Sequence, residues 1–553
     1  MKLNFESIYK YSAGEIADSI RSGDVKAVDV VKAFRERAAE SDKLYNNVAQ
    51  FFDEYSLSRA EWYDNQISQG IEFPKDKYPL LGVPISIKDS YGIKGYENTV
   101  GLNMFKGKIN EKTHLLIDIL VRSGAIPFCS TRVCQFMGSI GSTNSHGATL
   151  NPYSKIFTSG GSSSGEGSLI GSNGSILGIG TDFGGSIRVP AGYCGIYGLK
   201  TTSRRFVEYG TRGQTKGFES ILSCSGPIAY HVKDIDLTLR AVLNNEPWKT
   251  YHSVVPLPYR EVTLPKKLRV GYYLSDGKFP ASPACKRAVM MAVEALKASG
   301  HEVFPYEEPT LWKATPLYIK FNGLNKSRPK FEALRYKDKL TPDQFQVTLA
   351  HRLPKWVTWI ISSILKYVLN EREFGDVLWS LVSSDIHSQF ELNNERTELE
   401  EEHFEAWNNT TDENGNPMDF VICPLTPLPS FKNGKFLDHT FSLGTSFLYN
   451  MTGNTVGVIP VTRVDKETDK IDNLELWLKE NISPYYKDGL LRQRKIYSQY
   501  NVEEMEGLPV SIQIVGRRYE EEKVAKGMEL IDRILKGYDQ PNKYKTYSEY
   551  FSN

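Results

Sequence analysis

The chain has 553 residues, 40% hydrophobic and 24% charged, an ordinary globular balance that excludes disorder, collagen and coiled coil. Lysine and arginine number 67 against 66 acidic residues, so the basic excess that marks a nucleic-acid partner is missing. A chain of this length buries a sizeable core without disulfide or metal staples.

The opening M-K-L-N-F-E-S-I-Y-K-Y has no apolar run before a small-residue cleavage site, and reads as no secretory signal. Ser12-x-x-Glu15 is a capping box that starts a helix ending at Gly23, and D-V-K-A-V-D-V-V-K-A-F continues at helical spacing. Residues 1–75 therefore read as a helical region. From Leu80 short apolar runs such as P-L-L-G-V-P-I-S-I-K alternate with helical stretches such as H-L-L-I-D-I-L-V-R-S-G. That texture predicts an α/β fold, a central mixed twisted sheet flanked by helices.

Residues 150–200 are rich in Gly and Ser, yet Leu169, Ile170, Ile176, Leu177 and Ile179 mark ordered structure with close backbone approach. Ser175–Gly180 reads as a strand, Thr181–Gly185 as a tight turn and Ser186 as the opening of a helix. Such a turn lines up backbone N–H groups, here of Phe183, Gly184, Gly185 and Ser186, where an anion or developing oxyanion is stabilised. Gly178-x-Gly180 followed by Gly184 does not match the dinucleotide pattern, and no P-loop is present.

Further on, K-L-R-V-G-Y-Y-L predicts a strand at 267–274, and residues 310–410 read as mainly helical. Strands follow at 420–429, 453–462 and 508–516, with a charged surface excursion over 465–506 and a closing helix. The apolar run from Trp356 to Leu369 contains Lys366 and is too short to span a membrane. The six cysteines, at 129, 134, 194, 224, 285 and 423, have no paired zinc spacing and read as buried reduced thiols, which suits a cytoplasmic setting.

Three blocks carry chemistry together: V-P-I-S-I-K-D with Lys88 at a strand end, G-G-S-S-S-G-E with Ser162, and G-T-D-F-G-G-S-I-R-V-P-A with Ser186. In this order they resemble the defining blocks of the amidase-signature family. That family includes fungal acetamidases, fatty acid amide hydrolases, peptide amidases and the amidase subunits of transamidosomes. The likeness runs from the N-terminal helices to about residue 235 and returns at 420–462 and in L-P-V-S-I-Q-I-V-G.

The resemblance implies a Ser-Ser-Lys triad in which Ser186 is the nucleophile, Ser162 a bridging serine held by a cis peptide bond, and Lys88 the base. It implies an oxyanion hole from Phe183 to Ser186, with Asp182, Arg188 and Ser163 in support. Ser164 stands where the family more often has glycine, and Thr201 where it has proline; neither is a catalytic position. None of the nine histidines falls in the blocks, and His146 in S-T-N-S-H-G reads as structural or pocket-lining.

A lysine acts as base only when neutral, and burial lowers its pKa from about 10.4. Serine attack on a carboxamide then forms an acyl-enzyme that water hydrolyses, with no metal or cofactor required. Phe136, Met137, Gly138 and Ser139 match the segment that lines the acyl pocket in relatives. The 356–369 helix matches the cover of the pocket mouth, which touches the membrane in animal fatty amide hydrolases.

The expectation is one domain over 1–553, with a catalytic core at 80–235, a helical cap at 310–410 and completion of the core at 420–553. Its partner is a small amide, short or lipid-sized, with no transmembrane segment; peripheral membrane contact and a homodimer are both compatible. Two alternatives stand beside it. A subunit of a tRNA-dependent amidotransferase would need partner chains, and the aromatic helical insert argues against it. A catalytically inactive binding protein on the same fold is opposed by the intact Lys88, Ser162 and Ser186.

Overall fold

In a computed structural model that describes residues 3–213, 217–324, 328–483, 489–537 and residue 549, Ser12 caps the first α-helix as its sequence requires. Ser12 Oγ accepts from the Glu15 amide at 3.3 Å, and Glu15 returns a carboxylate to the Ser12 amide at 2.8 Å. Helices Ala13–Arg21, Ala27–Tyr45 and Asp53–Ser68 follow. The N-terminal region is nevertheless not purely helical, because Val48–Phe51 forms strand β1 between two of them. Four residues are too few for an alternating pattern to register.

The remaining strands are β2 (Pro84–Lys88), β3 (Ile126–Thr131), β4 (Thr143–Asn144), β5 (Gly147–Ala148), β6 (Leu177–Asp182), β7 (Tyr197–Lys200) and β8 (Cys224–Ala229). Then come β9 (Arg269–Tyr272), β10 (Glu302–Pro305), β11 (Phe420–Pro424), β12 (Val456–Arg463) and β13 (Pro509–Val515). Eleven of them build one mixed sheet in the order β1-β3-β2-β6-β8-β7-β12-β13-β11-β9-β10; β4 and β5 form a separate hairpin. Strands β2, β3 and β6 run parallel, and the centre from β6 to β13 is antiparallel. Most strands are buried along their whole length, which is why they read as continuous apolar runs.

The sheet is covered by helices that include 27–45, 164–171, 283–298 and the closing helix Glu521–Gly537. Helix Ser164–Gly171 lies so close to its neighbours that a Cβ on Gly165 would stand 2.4 Å from the Arg132 amide nitrogen. Only glycine fits there. Adjacent parallel strands β2 and β6 bring Lys88 and Asp182 to their carboxyl ends, the usual place for a site in such folds.

Among the described residues, 311–409 is mainly helical as expected, in six segments. Helices Lys355–Tyr367 and Arg372–Ser383 form a hairpin whose contact face is small and polar. Ser362 Oγ donates to the Gly375 carbonyl at 2.7 Å, and Thr358 and Ser362 are buried. The large apolar residues point away: Trp356 is 67% exposed and Trp359 60%. The segment 465–506 also carries helices, Leu474–Asn481 and Leu490–Tyr497, which bury Leu478, Ile496 and Tyr497 against Phe279 and Val377. The last part of the 420–553 block, beyond residue 537 apart from residue 549, lies outside the described residues. All six cysteines are free and buried.

Candidate active site

Lys88 ends β2, a strand whose five residues are all buried. Its Nζ donates to Ser162 Oγ at 2.7 Å and to Thr181 Oγ1 at 2.7 Å, with the Thr181 carbonyl at 3.3 Å. The side chain has no solvent exposure. Burial disfavours the ammonium form and brings the pKa down to about 8, held from falling further by Cys134, Asp182, Glu208 and Glu166. A lysine in this state is neutral in a useful fraction near neutral pH.

Ser162 follows a cis Gly161–Ser162 peptide and precedes the helix at Ser164. The neighbouring serines tie this turn to the other blocks. Ser163 donates its amide to the Ser186 carbonyl at 3.2 Å and its hydroxyl to the Thr181 carbonyl at 3.4 Å. Ser164, where the family favours glycine, is buried with its hydroxyl on the Ser162 carbonyl at 3.5 Å. Thr201, the other departure, is buried on the Ser225 carbonyl at 2.7 Å. The Ser163 amide is what links this turn to Ser186; no hydrogen bond joins the hydroxyls of Ser162 and Ser186 among the described residues.

Strand β6 runs further than its sequence suggests, to Asp182, and the helix after the turn starts at Arg188 rather than Ser186. Asp182 is the reason. Its carboxylate accepts the Gly185 amide at 2.9 Å, the Ile187 amide at 3.0 Å and the Asn450 amide group at 2.9 Å. Arg188 closes on it with Nε and Nη2, both at 3.1 Å, and reaches Asn450, the Ser446 carbonyl and Gln513 as well. Burial alone would raise the Asp182 carboxyl, but the Arg188 guanidinium and the other donors hold it well below the usual carboxylate range.

This network bears on the expected oxyanion donors. The Gly185 amide is spent on Asp182, with φ at +111°. The amides of Phe183, Gly184 and Ser186 make no hydrogen bond among the described residues and remain for a ligand oxygen. Ser186 itself is 6% exposed, in contrast to fully buried Lys88.

The pocket segment expected at 136–139 follows β3 as a short turn, with Phe136 and Met137 half-buried, Gly138 exposed and both φ values of Phe136 and Met137 positive. Its continuation reaches the site: a Cβ on Gly161 would meet the Gly141 carbonyl at 2.0 Å. An aromatic wall flanks the 183–186 turn. Phe183 lies 5.6 Å from Tyr318, which stacks on Phe447 at 3.8 Å, and Phe218 meets Phe183 edge-on. Tyr318 comes from helix Leu311–Gly323, so the first helix of the 310–410 region contacts the turn directly. His146 sits exposed on the β4–β5 hairpin.

Thr181, Glu166, Asn450, Gln513 and Tyr318 join the site without having been singled out by their sequence. The only available signal was position: Thr181 and Glu166 sit inside the two Gly/Ser blocks, whereas the others come from distant segments.

An amidase family model matches residues 29–525 of the chain. The acetamidase of Emericella nidulans is 29% identical over 537 residues, covering 96% of this chain and 90% of that protein. Fatty acid amide hydrolase 1 of Caenorhabditis elegans is 30% identical, covering 95% of this chain and 88% of its own. A solved structure of a fatty acid amide hydrolase superposes with a TM-score of 0.81 at 26% identity, over 97% of this chain and 87% of that one.

Proposed function

The chain belongs to the amidase family of amide hydrolases, and we propose that it cleaves carboxylic acid amides to acid and ammonia or amine through Ser186, Ser162 and Lys88. The observation that carries this reading is the 2.7 Å hydrogen bond from fully buried Lys88 to Ser162, beside a turn with three unoccupied amides. Neutral Lys88 takes the proton of Ser162, which takes that of Ser186 as it attacks the amide carbon. The oxyanion falls to the amides of Phe183, Gly184 and Ser186. The proton then returns to the leaving amine, and water releases the acid from the acyl-enzyme.

The Ser162–Ser186 step closes when substrate fills the pocket, because catalytic hydrogen bonds often tighten only in the complex. Phe136, Met137, Gly138 and Ser139, with the aromatic wall, form the acyl side. The exposed apolar face of helix 355–367 suits the passage of an apolar amide, or shallow contact with a lipid surface, better than it suits water. Among the described residues no helix is long and apolar enough to cross a membrane. We read 1–553 as one domain, its core completed by 420–553 and its pocket covered by 310–410.

The test is labelling by a fluorophosphonate, combined with ammonia release from short, aryl and long-chain amides. Labelling at Ser186 with turnover of any amide class supports the reading. A folded protein that takes no label and releases no ammonia overturns it.

A further inference from the structure

We propose that Glu166 is a positioning residue for the proton chemistry of Lys88, its buried carboxyl adding to the charges that surround the lysine. The inference rests on the reading of Lys88 as the base. Glu166 has no solvent exposure and stands in the second turn of the site, two residues into helix Ser164–Gly171. Its oxygens accept from Ser86 Oγ at 2.6 Å and Thr131 Oγ1 at 2.8 Å. Ser86 lies two residues before Lys88 on β2, so both side chains emerge on one face of the sheet. Thr131 is the register partner of Lys88 on β3, and Gly178 is the partner of Ser86 on β6.

That face has been cleared for the carboxyl. A Cβ on Gly178 would stand 1.8 Å from Glu166 Oε2. Three adjacent strands thus hold one acid beside one lysine, with hydroxyls and no cation as hydrogen-bond partners. The groups around Lys88 are the Cys134 thiol and the carboxyls of Asp182, Glu208 and Glu166. Asp182 is matched by Arg188, and Glu208 accepts the Ser225 hydroxyl. Around Glu166 are the hydroxyls of Ser86 and Thr131, the Cys129 thiol and Tyr91, and the cation that acts on it is Lys88.

Burial pushes the Glu166 carboxyl up to about 7 and the Lys88 ammonium down to about 8, so near neutral pH each group's charge bears on the other's. An ionised Glu166 favours the ammonium and withholds the base; a neutral one releases it. The arrangement would be wasted on packing alone, since an apolar residue fills a buried gap without desolvating a charge.

Glu166→Gln keeps the shape, and its amide can accept from one hydroxyl while donating to the other. The expected result is that the acid limb of kcat/KM for an amide moves to lower pH by a fraction of a unit, since Cys134, Asp182 and Glu208 go on acting on Lys88. The alkaline plateau should fall, because a less basic amine takes the serine proton less well. A limb that stays in place or moves up in the folded variant overturns the inference. Should Glu166→Gln fail to fold, Thr131→Val removes one hydroxyl that keeps the carboxyl ionised and must shift the limb the same way. An unmoved limb there also overturns it. Lys88→Ala separates the two readings. If it keeps wild-type kcat/KM, the base assignment fails and takes the Glu166 inference with it. If it abolishes turnover while Glu166→Gln leaves the limb in place, the Glu166 inference alone is overturned.

Discussion

Asp182 and Arg188 meet side chain to side chain through two hydrogen bonds of 3.1 Å, and neither is exposed to solvent. Between them they fold the turn that carries Ser186. Arg188→Leu would leave the Asp182 carboxylate buried with its largest compensating charge gone, at a cost of about 3–5 kcal/mol. The expected outcome is a large drop in the urea midpoint at pH 7. The pH dependence follows from the depressed Asp182 pKa. Stabilisation by this carboxylate is fully present above its unfolded value of about 3.9 and is lost as pH falls below it toward the folded value. The gap between wild type and Arg188→Leu should therefore narrow below about pH 4. A gap of constant size down to pH 3 would show that the pair does not hold the turn by charge.

Ser186→Ala removes the hydroxyl from a turn whose three unengaged amides stay in place. Amide turnover should fall on the order of 10³-fold or more, while binding of substrate changes far less. Steady-state kinetics on a folded variant decide it. Activity within tenfold of wild type would remove Ser186 as nucleophile.

Lys88 must be neutral to accept a proton, and its pKa sits at about 8. Activity should therefore climb from about pH 6, pass half its maximum near pH 8 and level off about one unit higher, the deprotonated fraction rising with pH. Lys88→Ala should abolish this limb and harm amides more than matched esters, because an amine leaves only with a returned proton. Equal losses on the two substrates would argue that Lys88 serves attack alone.

How much of this was readable beforehand depends on distance along the chain. The three proposed catalytic positions each sit in a short block whose pattern is local, and the structure brings Lys88 to Ser162 and Ser163 to the Ser186 carbonyl. The late helix start at Arg188 was hidden, because it results from Asp182 capturing amides within the turn. The bracing of Arg188 by Asn450 and Gln513 was hidden too, for those residues lie more than 250 positions away. Helical spacing in 356–369 correctly announced a helix. It did not show which side faces the protein, since the usual rule that the apolar face packs inward is reversed here by the close contact of Ser362 with Gly375.

That reversal sharpens the last prediction. Trp359 is 60% exposed and Ile360 42%, so Trp359→Ala with Ile360→Ser removes little buried surface. Surface changes of this kind usually move stability by no more than about 0.5 kcal/mol. The melting temperature should therefore stay nearly constant, which a residue pair in the core would not allow. If the face receives apolar amides on their way to Ser186, the double variant loses contact area with long or aromatic acyl groups. Burying one large apolar side chain contributes about 1.5–3 kcal/mol, so even partial contact predicts a rise in KM on the order of tenfold for those amides. Acetamide-sized substrates offer little area to the face and should be turned over as before. Measuring KM across an acyl-length series, beside thermal melts of the same preparations, separates the cases. A uniform fall in activity that tracks loss of folded protein would end the idea of an apolar approach path. An unchanged KM across the series would assign the face to something other than substrate.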